Sequence, residues 1–197
     1  GEDYHLQRDN VLADFQYSRV VWNWDGGLAA TPVERSFYGD ELAKRCFRRA
    51  LAVDPSSTEA RAGLARAYAA QAATALALAA AGGEGDPSAA MEAALPMALA
   101  GADALDMALA TSVQQQDHAT AGVLCHVVAN MASAPTAGLR AALASGDAAL
   151  ASEAAIAMGG MCVAGKASAD ADLVAALGDV ARRSVVRLAV VIDGNGE

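Results

Sequence analysis

Aromatic residues and β-branched runs are scarce in this chain, which favours packed helices over sheets. Aromatics make up only 5% of the residues, whereas alanine dominates an apolar share of 54%. Alanine is the best helix former, and its small side chain lets helices approach closely. Because only 19% of the residues are charged, the chain has enough apolar side chains to fold around a core. The composition therefore predicts an all-α protein of one or two domains.

Cysteine pairs are also missing. The three cysteines, Cys46, Cys125 and Cys162, form no CxxC motif, and each lies in an apolar stretch with helical character. A scattered set with an odd number excludes a disulfide framework and fits no zinc site. We expect all three to be small buried hydrophobic residues.

Basic side chains are few in the middle of the chain. Between residues 60 and 180 there are four basic residues against eleven acidic ones, and the formal net charge of the whole chain is −9. Such a surface repels the phosphates of nucleic acids and anionic lipids. Nucleic acid is therefore not an expected partner.

A long hydrophobic run is missing as well. The nearest candidate for a membrane span, Leu64 to Ala81, contains Arg66 and Gln71 and consists mostly of alanine. Alanine is nearly neutral toward lipid, so this stretch does not predict insertion. We expect no membrane span, and no signal peptide is visible.

No group of residues has the spacing of a catalytic or metal site. His118 and His126 are eight residues apart, which is about 12 Å along a helix that rises about 1.5 Å per residue. That separation is too large for the two side chains to hold one ion. The glycines between Gly82 and Gly85 follow no strand, so they do not predict a phosphate-binding loop. We predict no catalytic residue, no cofactor and no metal site.

Hydrophobic spacing predicts long helices in the first half of the chain. A first helix is expected from Tyr4 to Val21, because Leu12, Phe15 and Trp22 have the spacing of one helix face. A break follows from Asn23 to Ala30, with Asp25-Gly26-Gly27 as turn residues. Thr31-Pro32-Val33-Glu34 has the pattern of a helix start, and the helix is expected to end at Asp54-Pro55. The capping box Ser56-Ser57-Thr58-Glu59 then predicts a helix that continues to about Ala81.

A glycine-rich linker divides the sequence. Gly82-Gly83-Glu84-Gly85 separates two predicted domains, 1–81 and 86–197. Asp86-Pro87 caps the next predicted helix, which should kink or split at Pro96. Further helices are expected over Gln114 to Met131, Thr136 to Ala144, Ala148 to Val163, Asp170 to Leu177, and Val180 to Ile192.

One segment combines small, aromatic and proline residues at regular increments. Ala43, Phe47, Ala50 and Pro55 follow one another at increments of four, three and five, and Leu64, Ala65 and Tyr68 come after them. This pattern resembles the tetratricopeptide repeat (TPR), a family that places a small residue, an aromatic, a second small residue and a proline at these increments. The next repeat of that family opens with a large apolar residue, a small residue, and an aromatic three positions later. The match covers the second helix of one repeat and the first helix of the next.

A second self-similarity near the end resembles short HEAT repeats. Gly146-Asp147 and Gly178-Asp179 are thirty-two residues apart, and each is expected to form a tight turn between two helices. Asp117 marks a third copy thirty residues upstream of Asp147. At the thirty-two-residue offset, small and apolar residues pair as Ile156 with Leu188, Ala157 with Ala189, and Met158 with Val190.

The two resemblances imply the same architecture, an α-solenoid of antiparallel helix pairs, TPR-like and then HEAT-like. Because one helix pair cannot bury its apolar face alone, neighbouring pairs stack into a curved rod. Such rods usually present their concave face to proteins or peptides. The resemblance therefore implies a non-enzymatic scaffold or adapter with a protein or peptide partner.

Candidate partner contacts follow from the resemblance and from the charge pattern. On the TPR resemblance, Glu59 and Arg66 are the polar residues on the groove-facing side of their helix. Arg45, Arg48 and Arg49 form a basic cluster with Lys44, which is either a solvated helix face or a contact for an acidic segment of the partner.

The two tryptophans stand out in so aromatic-poor a chain. Trp22 and Trp24 either anchor an interface or pack against the first repeat. Two other functions stay open beside the adapter. The stacked helices would pair with copies of themselves in a self-assembling structural subunit, or the chain would be the repeat or regulatory domain of a larger enzyme.

Overall fold

The protein is mostly helical, as the composition predicts. The structure, a computed structural model, describes residues 1–6, 8, 20–24, 26–82, 87–168 and 173–182. Of these residues, 73% are helical and 6% lie in strands. The elements are α1 (Glu2–His5), β1 (Val20–Trp24), β2 (Leu28–Pro32), a 3-10 turn (Arg35–Phe37), α2 (Tyr38–Val53), α3 (Thr58–Ala80), α4 (Pro87–Ala98), α5 (Ala102–Gln114), α6 (His118–Met131), α7 (Ala137–Leu143), α8 (Ala148–Val163) and α9 (173–182).

The chain divides into two compact units, Gly1–Ala108 and Leu109–Glu197. This division differs from the predicted domains 1–81 and 86–197. The reason is that α3 and α4, which flank the glycine-rich linker, pack against each other within the first unit. Residues 83–86 of that linker lie outside the described residues.

A β-hairpin contains the predicted break near the start of the first unit. β1 and β2 pair antiparallel from Val20 opposite Pro32 to Trp24 opposite Leu28. Gly26 lies between them with a φ of +67°, a conformation that glycine adopts without strain and that suits a hairpin connection. The predicted break is therefore present with turn residues at Gly26-Gly27, but it is shorter than expected, because Asn23, Trp24 and Leu28 to Ala30 lie in strands.

Two predicted helix boundaries near the hairpin are wrong. The helix expected from Tyr4 to Val21 is not continuous, since α1 ends at His5 and β1 begins at Val20; residues 7 and 9–19 lie outside the described residues. The helix start expected at Thr31-Pro32 is the end of β2, and α2 begins at Tyr38. A proline at a strand end is tolerated because its missing N–H is not needed there.

The connection between α2 and α3 follows the prediction. α2 ends at Val53, before Pro55, and the Ser57 hydroxyl accepts a hydrogen bond from the Ala60 N–H at 3.2 Å as the cap of α3. The Asp54 carboxylate accepts hydrogen bonds from the Ser56 hydroxyl and N–H, and these bonds lower the pKa of Asp54. The sequence therefore defines this turn locally.

Helix α3 is the central element of the first unit, because it packs against both α2 and α4. It is buried around most of its circumference, as expected for a helix with neighbours on two sides. Its buried apolar side chains are all alanine: Ala60, Ala62, Ala65, Ala67, Ala69, Ala72 and Ala75.

The second unit is built around α6 and α8. These helices pack against each other, and α7 packs against both. Asp117 caps α6 by accepting from the Thr120 N–H at 3.3 Å, and Asp147 caps α8 by accepting from the Leu150 N–H at 2.8 Å. The predicted helix start after Gly146-Asp147 is therefore confirmed.

Two expectations for the rest of the chain are wrong. Gly178-Asp179 is no turn, because α9 is helical from 173 to 182. Helix α6 begins only at His118, because α5 ends at Gln114. At Pro96 the helix does not split, since α4 continues to Ala98 and the break comes at Gly101, where φ is +86°. The alternative expectation of a kink at Pro96 stays a prediction. Residues 183–197, which include most of the last predicted helix, lie outside the described residues.

The Phe47 ring fixes how closely α2 approaches α3. A Cβ atom added to Gly63 of α3 would lie 2.3 Å from the ring atoms of Phe47. We expect Gly63→Ala to lower the free energy of unfolding by about 2 kcal/mol, because overpacking outweighs the gain in helix propensity. Denaturant unfolding followed by circular dichroism measures this.

Gly160→Ala is the matched control for Gly63→Ala. Gly160 lies in helix α8, and nothing lies within 4 Å of an added Cβ, so this change should stabilise by about 0.5 to 1 kcal/mol. In a Phe47→Leu background, Gly63→Ala should cost less than in the native chain. If Gly63→Ala stabilises the protein as much as Gly160→Ala does, the Phe47 ring leaves room for a methyl group, and the contact between α2 and α3 does not require glycine at position 63.

Candidate functional site

A groove with a basic lining is the main candidate site of the first unit. Its cavity volume is about 790 Å³. The β-hairpin and the segment after it form one side, and residues of α2, α3 and α4 form the others. The lining residues are Val21, Thr31, Pro32, Val33, Glu34, Phe37, Glu41, Lys44, Arg45, Arg48, Arg49, Ala52, Tyr68, Gln71 and Ala93.

Four cations of α2 line this groove. Lys44 and Arg48 are four residues apart, as are Arg45 and Arg49, so the four side chains project from neighbouring rows of one helix. Among the described residues that line the groove, the only carboxylates are those of Glu34 and Glu41. The groove is therefore locally positive in a protein whose net charge is −9.

Helix α3 holds the most buried of these cations. The Lys44 ammonium donates to the Gln71 side-chain oxygen at 2.7 Å and pairs with Glu41, and Gln71 in turn donates to Glu41 at 2.9 Å. The three side chains form a closed polar network across the contact of α2 with α3. Glu41 balances the charge of Lys44, which makes Lys44 a structural cation rather than a free one.

Tyr68 lies between two of the cations. Its ring centroid is 4.7 Å from the Lys44 ammonium and 5.8 Å from the guanidinium carbon of Arg48. Arg48 also donates a hydrogen bond to the Tyr68 hydroxyl. Cation–π attraction and this bond orient Arg48 without neutralising it, because Tyr68 carries no charge.

Arg45 joins the groove to the hairpin. Its guanidinium donates to the backbone carbonyl of Trp22, which ties β1 to α2. This acceptor is neutral, so the bond leaves the charge of Arg45 uncompensated. Arg45, Arg48 and Arg49 are therefore the cations of the groove best placed to attract an anionic ligand.

The structure brings together only some of the seven predicted contact residues. Arg45, Arg48 and Arg49 line one groove, as a shared contact would require. Trp22 and Trp24 lie on β1 next to it, with 50% and 78% of their surfaces exposed. Both tryptophans therefore expose at least half of their surface, and their role as interface anchors stays a prediction.

The other two predicted contacts lie elsewhere. Glu59 is exposed in the first turn of α3. Arg66 is only 1% exposed, and its guanidinium donates to both oxygens of the Glu2 carboxylate, at 2.8 and 3.0 Å. A second polar pair, His5 with Asp40 at 3.1 Å, also fixes α1 to the unit. In this structure Arg66 thus anchors α1, and its role as a partner contact stays a prediction.

Sequence reasoning did not identify four polar groove residues as site residues. Glu34, Tyr68 and Gln71 reach the groove only through the packing of α3 on α2 and the path of the chain after β2, whereas Glu41 lies on α2 itself, three residues before Lys44. A signal was present for two of them. Tyr68 and Gln71 are three residues apart on one face of α3, and that face is turned toward the basic run of α2.

The second unit has smaller polar features. His126 pairs with Glu153 at 2.7 Å and His118 lies 3.4 Å from Asp147, so two histidines of α6 meet carboxylates at or beside α8. Lys166 donates to the backbone carbonyls of Ala129 and Asn130, near the end of α6. The position is favourable for a cation, because the helix dipole carries partial negative charge at its C-terminus.

Within the part of the chain that the structure describes, no group of three or more histidine, cysteine, aspartate or glutamate residues is arranged to hold a metal ion. No helix among those same residues is long and apolar enough to cross a membrane.

Comparison of the chain with protein-family models, with curated proteins and with solved structures finds no match.

The cysteines differ in their surroundings. Cys125 is fully buried, as predicted, whereas Cys46 and Cys162 are partly exposed, so the prediction of burial is wrong for these two. Burial, with a smaller contribution from the charge of Glu153, raises the pKa of the Cys125 thiol to about 12. Its reactive thiolate is therefore almost absent at neutral pH.

Thiol labelling tests this difference. With iodoacetamide at pH 8, we expect Cys46 and Cys162 to react in the native protein and Cys125 to remain unmodified. All three should react in denaturant. Peptide mass spectrometry reads out each site, and labelling of Cys125 in the native state as fast as the other two would contradict its burial.

Proposed function

We propose that the protein is a non-enzymatic helical scaffold that binds an acidic peptide segment of a partner protein in the basic groove. One observation carries this proposal. In a chain of net charge −9, the described residues place four cations in the lining of a single groove, against two carboxylates. Because opposite potentials attract and orient a partner, this local excess of positive charge favours an acidic ligand.

The dimensions of the groove support a peptide rather than a flat protein surface. A cavity of about 790 Å³ has room for several side chains. Its lining mixes the cations with apolar residues such as Val21, Val33 and Phe37. A ligand with both carboxylates and aliphatic groups would fit such a lining better than a simple anion.

The proposed architecture is an α-solenoid in which α2 and α3 form a TPR-like pair and the second unit forms HEAT-like pairs. The mutual packing of α2 with α3, and of α6 with α8, supports helix pairing in each unit. In this proposal the groove belongs to the TPR-like pair, and α3 contributes Tyr68 and Gln71 to it.

Charge reversal in the groove tests the proposed function. Arg49→Glu, combined with Arg48→Glu, should weaken binding of a fluorescein-labelled octaglutamate peptide by about 10- to 100-fold at low salt, because each change replaces an attraction by a repulsion. Fluorescence anisotropy measures the affinity. Binding should also weaken as salt is raised, since the contacts are solvent-exposed.

Arg140→Glu is the matched control for this charge reversal. Arg140 is exposed on α7 of the second unit, outside the groove, so this reversal should leave the affinity within about twofold of the native value, as screened charges outside a site contribute little. If the double groove variant binds as tightly as the native protein, the groove is not the binding site. If native protein does not bind at all, the proposed ligand class is wrong.

A further inference from the structure

The outer edge of β2 has hydrogen-bonding groups that no other strand among the described residues uses. Pro32 pairs with Val20 and has no N–H, so this pair must be one of the non-hydrogen-bonded pairs of the hairpin. Such pairs alternate along an antiparallel ladder, which makes Trp22–Ala30 and Trp24–Leu28 non-hydrogen-bonded as well. The N–H and C=O groups of Ala30 and Leu28 therefore point away from β1.

An independent contact supports this assignment. In a non-hydrogen-bonded pair, the carbonyl of Trp22 must also point out of the hairpin, on the β1 side. Arg45 of α2 donates to that carbonyl. The β1 edge therefore faces α2, and the β2 edge is the opposite, outer edge of the sheet.

The β2 edge has little protection against strand addition. Among the residues that the structure describes, the sheet contains only these two strands. All five residues of β2 are exposed, and none of them is charged. Charged side chains are a common means by which natural proteins block such an edge, and here only Pro32, at the end of the strand, resists pairing.

The two faces of the hairpin differ in chemistry. Trp22, Trp24 and Leu28 share one face, and this face is apolar and largely exposed, with Leu28 at 67%. Val21 and Thr31 share the other face, and both line the basic groove. A strand added beside β2 would therefore direct alternate side chains to an apolar surface and to a positive one.

We propose that β2 accepts an extended segment of the partner protein as a third strand, and that this segment alternates apolar and acidic residues. The apolar side chains lie against the tryptophan face, and the carboxylates reach toward the cations of the groove. This inference rests on the proposed function, which it deepens by specifying the pattern and the backbone conformation of the ligand. Main-chain hydrogen bonds give affinity in this mode, and alternate side chains give specificity.

Charge complementarity selects a partner segment over a second copy of the chain. If two hairpins paired through β2, the added strand would be Leu28–Pro32, which contains no acidic residue. It would leave the groove cations without carboxylates. A segment with acidic residues at alternate positions would place apolar side chains against the tryptophan face and carboxylates toward the groove cations.

Four synthetic peptides test the proposal on the native protein. The first alternates valine and glutamate over six residues, and the second has the same composition with three valines followed by three glutamates. The third and fourth are the alternating peptide with backbone N-methyl groups on the valines or on the glutamates. Because both tryptophans of the chain lie on β1, intrinsic tryptophan fluorescence reports binding at the hairpin.

Strand addition predicts a specific order of affinities. The alternating peptide should bind about tenfold more tightly than the block peptide, because only it matches both faces and pairs with β2. One N-methylated peptide should lose about tenfold in affinity and the other should bind like its parent, since alternate N–H groups point to opposite edges of a strand. Ala30→Pro, which removes an outward N–H, should weaken the alternating peptide and the N-methylated peptide that binds like it, and should leave binding of the block peptide unchanged.

Other outcomes overturn the proposal in distinguishable ways. Equal, salt-sensitive binding of the alternating and block peptides would leave the proposed groove function standing and refute strand addition. Binding of none of the peptides, nor of octaglutamate, would refute both. A dimer in sedimentation that dissociates with Ala30→Pro would show that a second copy covers β2.

Discussion

The close packing of α2 on the alanine-lined α3 is the contact on which the first unit depends. Ala43 and Ala65 are buried, and the Phe47 ring lies where any side chain on Gly63 would collide with it. Small residues at these positions let the two backbones approach, and dispersion contacts then favour the close arrangement. The same approach places the Lys44 ammonium beside Gln71 and over the Tyr68 ring.

The groove follows from this packing. One side of α2 carries a run of cations, and α3 supplies neutral groups, the Tyr68 hydroxyl and the Gln71 amide, that orient two of them. Since Arg45 and Arg48 donate to neutral oxygens, their positions are fixed while their charges are kept. A protein with many acidic residues thus has a small positive site. The electrostatic potential of this site extends over a Debye length of about 8 to 10 Å. Net charge alone would not reveal it.

The elements that the sequence could predict are those with local signals. Pro55 and Ser57 define the turn before α3, and Asp147 defines the start of α8, because each acts through its own backbone neighbourhood. The hairpin was missed because Leu12, Phe15 and Trp22 have the spacing of a helix face. Leu12 and Phe15 lie outside the described residues, and Trp22 is in β1.

Other predictions were wrong where the surrounding helix or the pairing of two strands outweighed the local sequence pattern. Gly178-Asp179 has the composition of a turn, yet the residues around it continue a helix. Thr31-Pro32 has the pattern of a helix start, yet both residues lie in β2, where they pair with Val21 and Val20 of β1.

The candidate site was predictable in part, since the arginines of α2 form a visible cluster in the sequence. Tyr68 and Gln71 were not identified, because they come from another helix and only the packing brings them to the groove.

The most direct test of the account is to map the ligand contact residue by residue. In an amide chemical-shift titration of the isotope-labelled protein with the alternating valine–glutamate peptide, we expect perturbations at Leu28 and Ala30, at the groove residues of α2, and at Tyr68 and Gln71. The second unit should remain unchanged. Perturbations confined to the second unit, or none at a peptide concentration that saturates the fluorescence change, would contradict the assignment of binding to the groove and the hairpin edge.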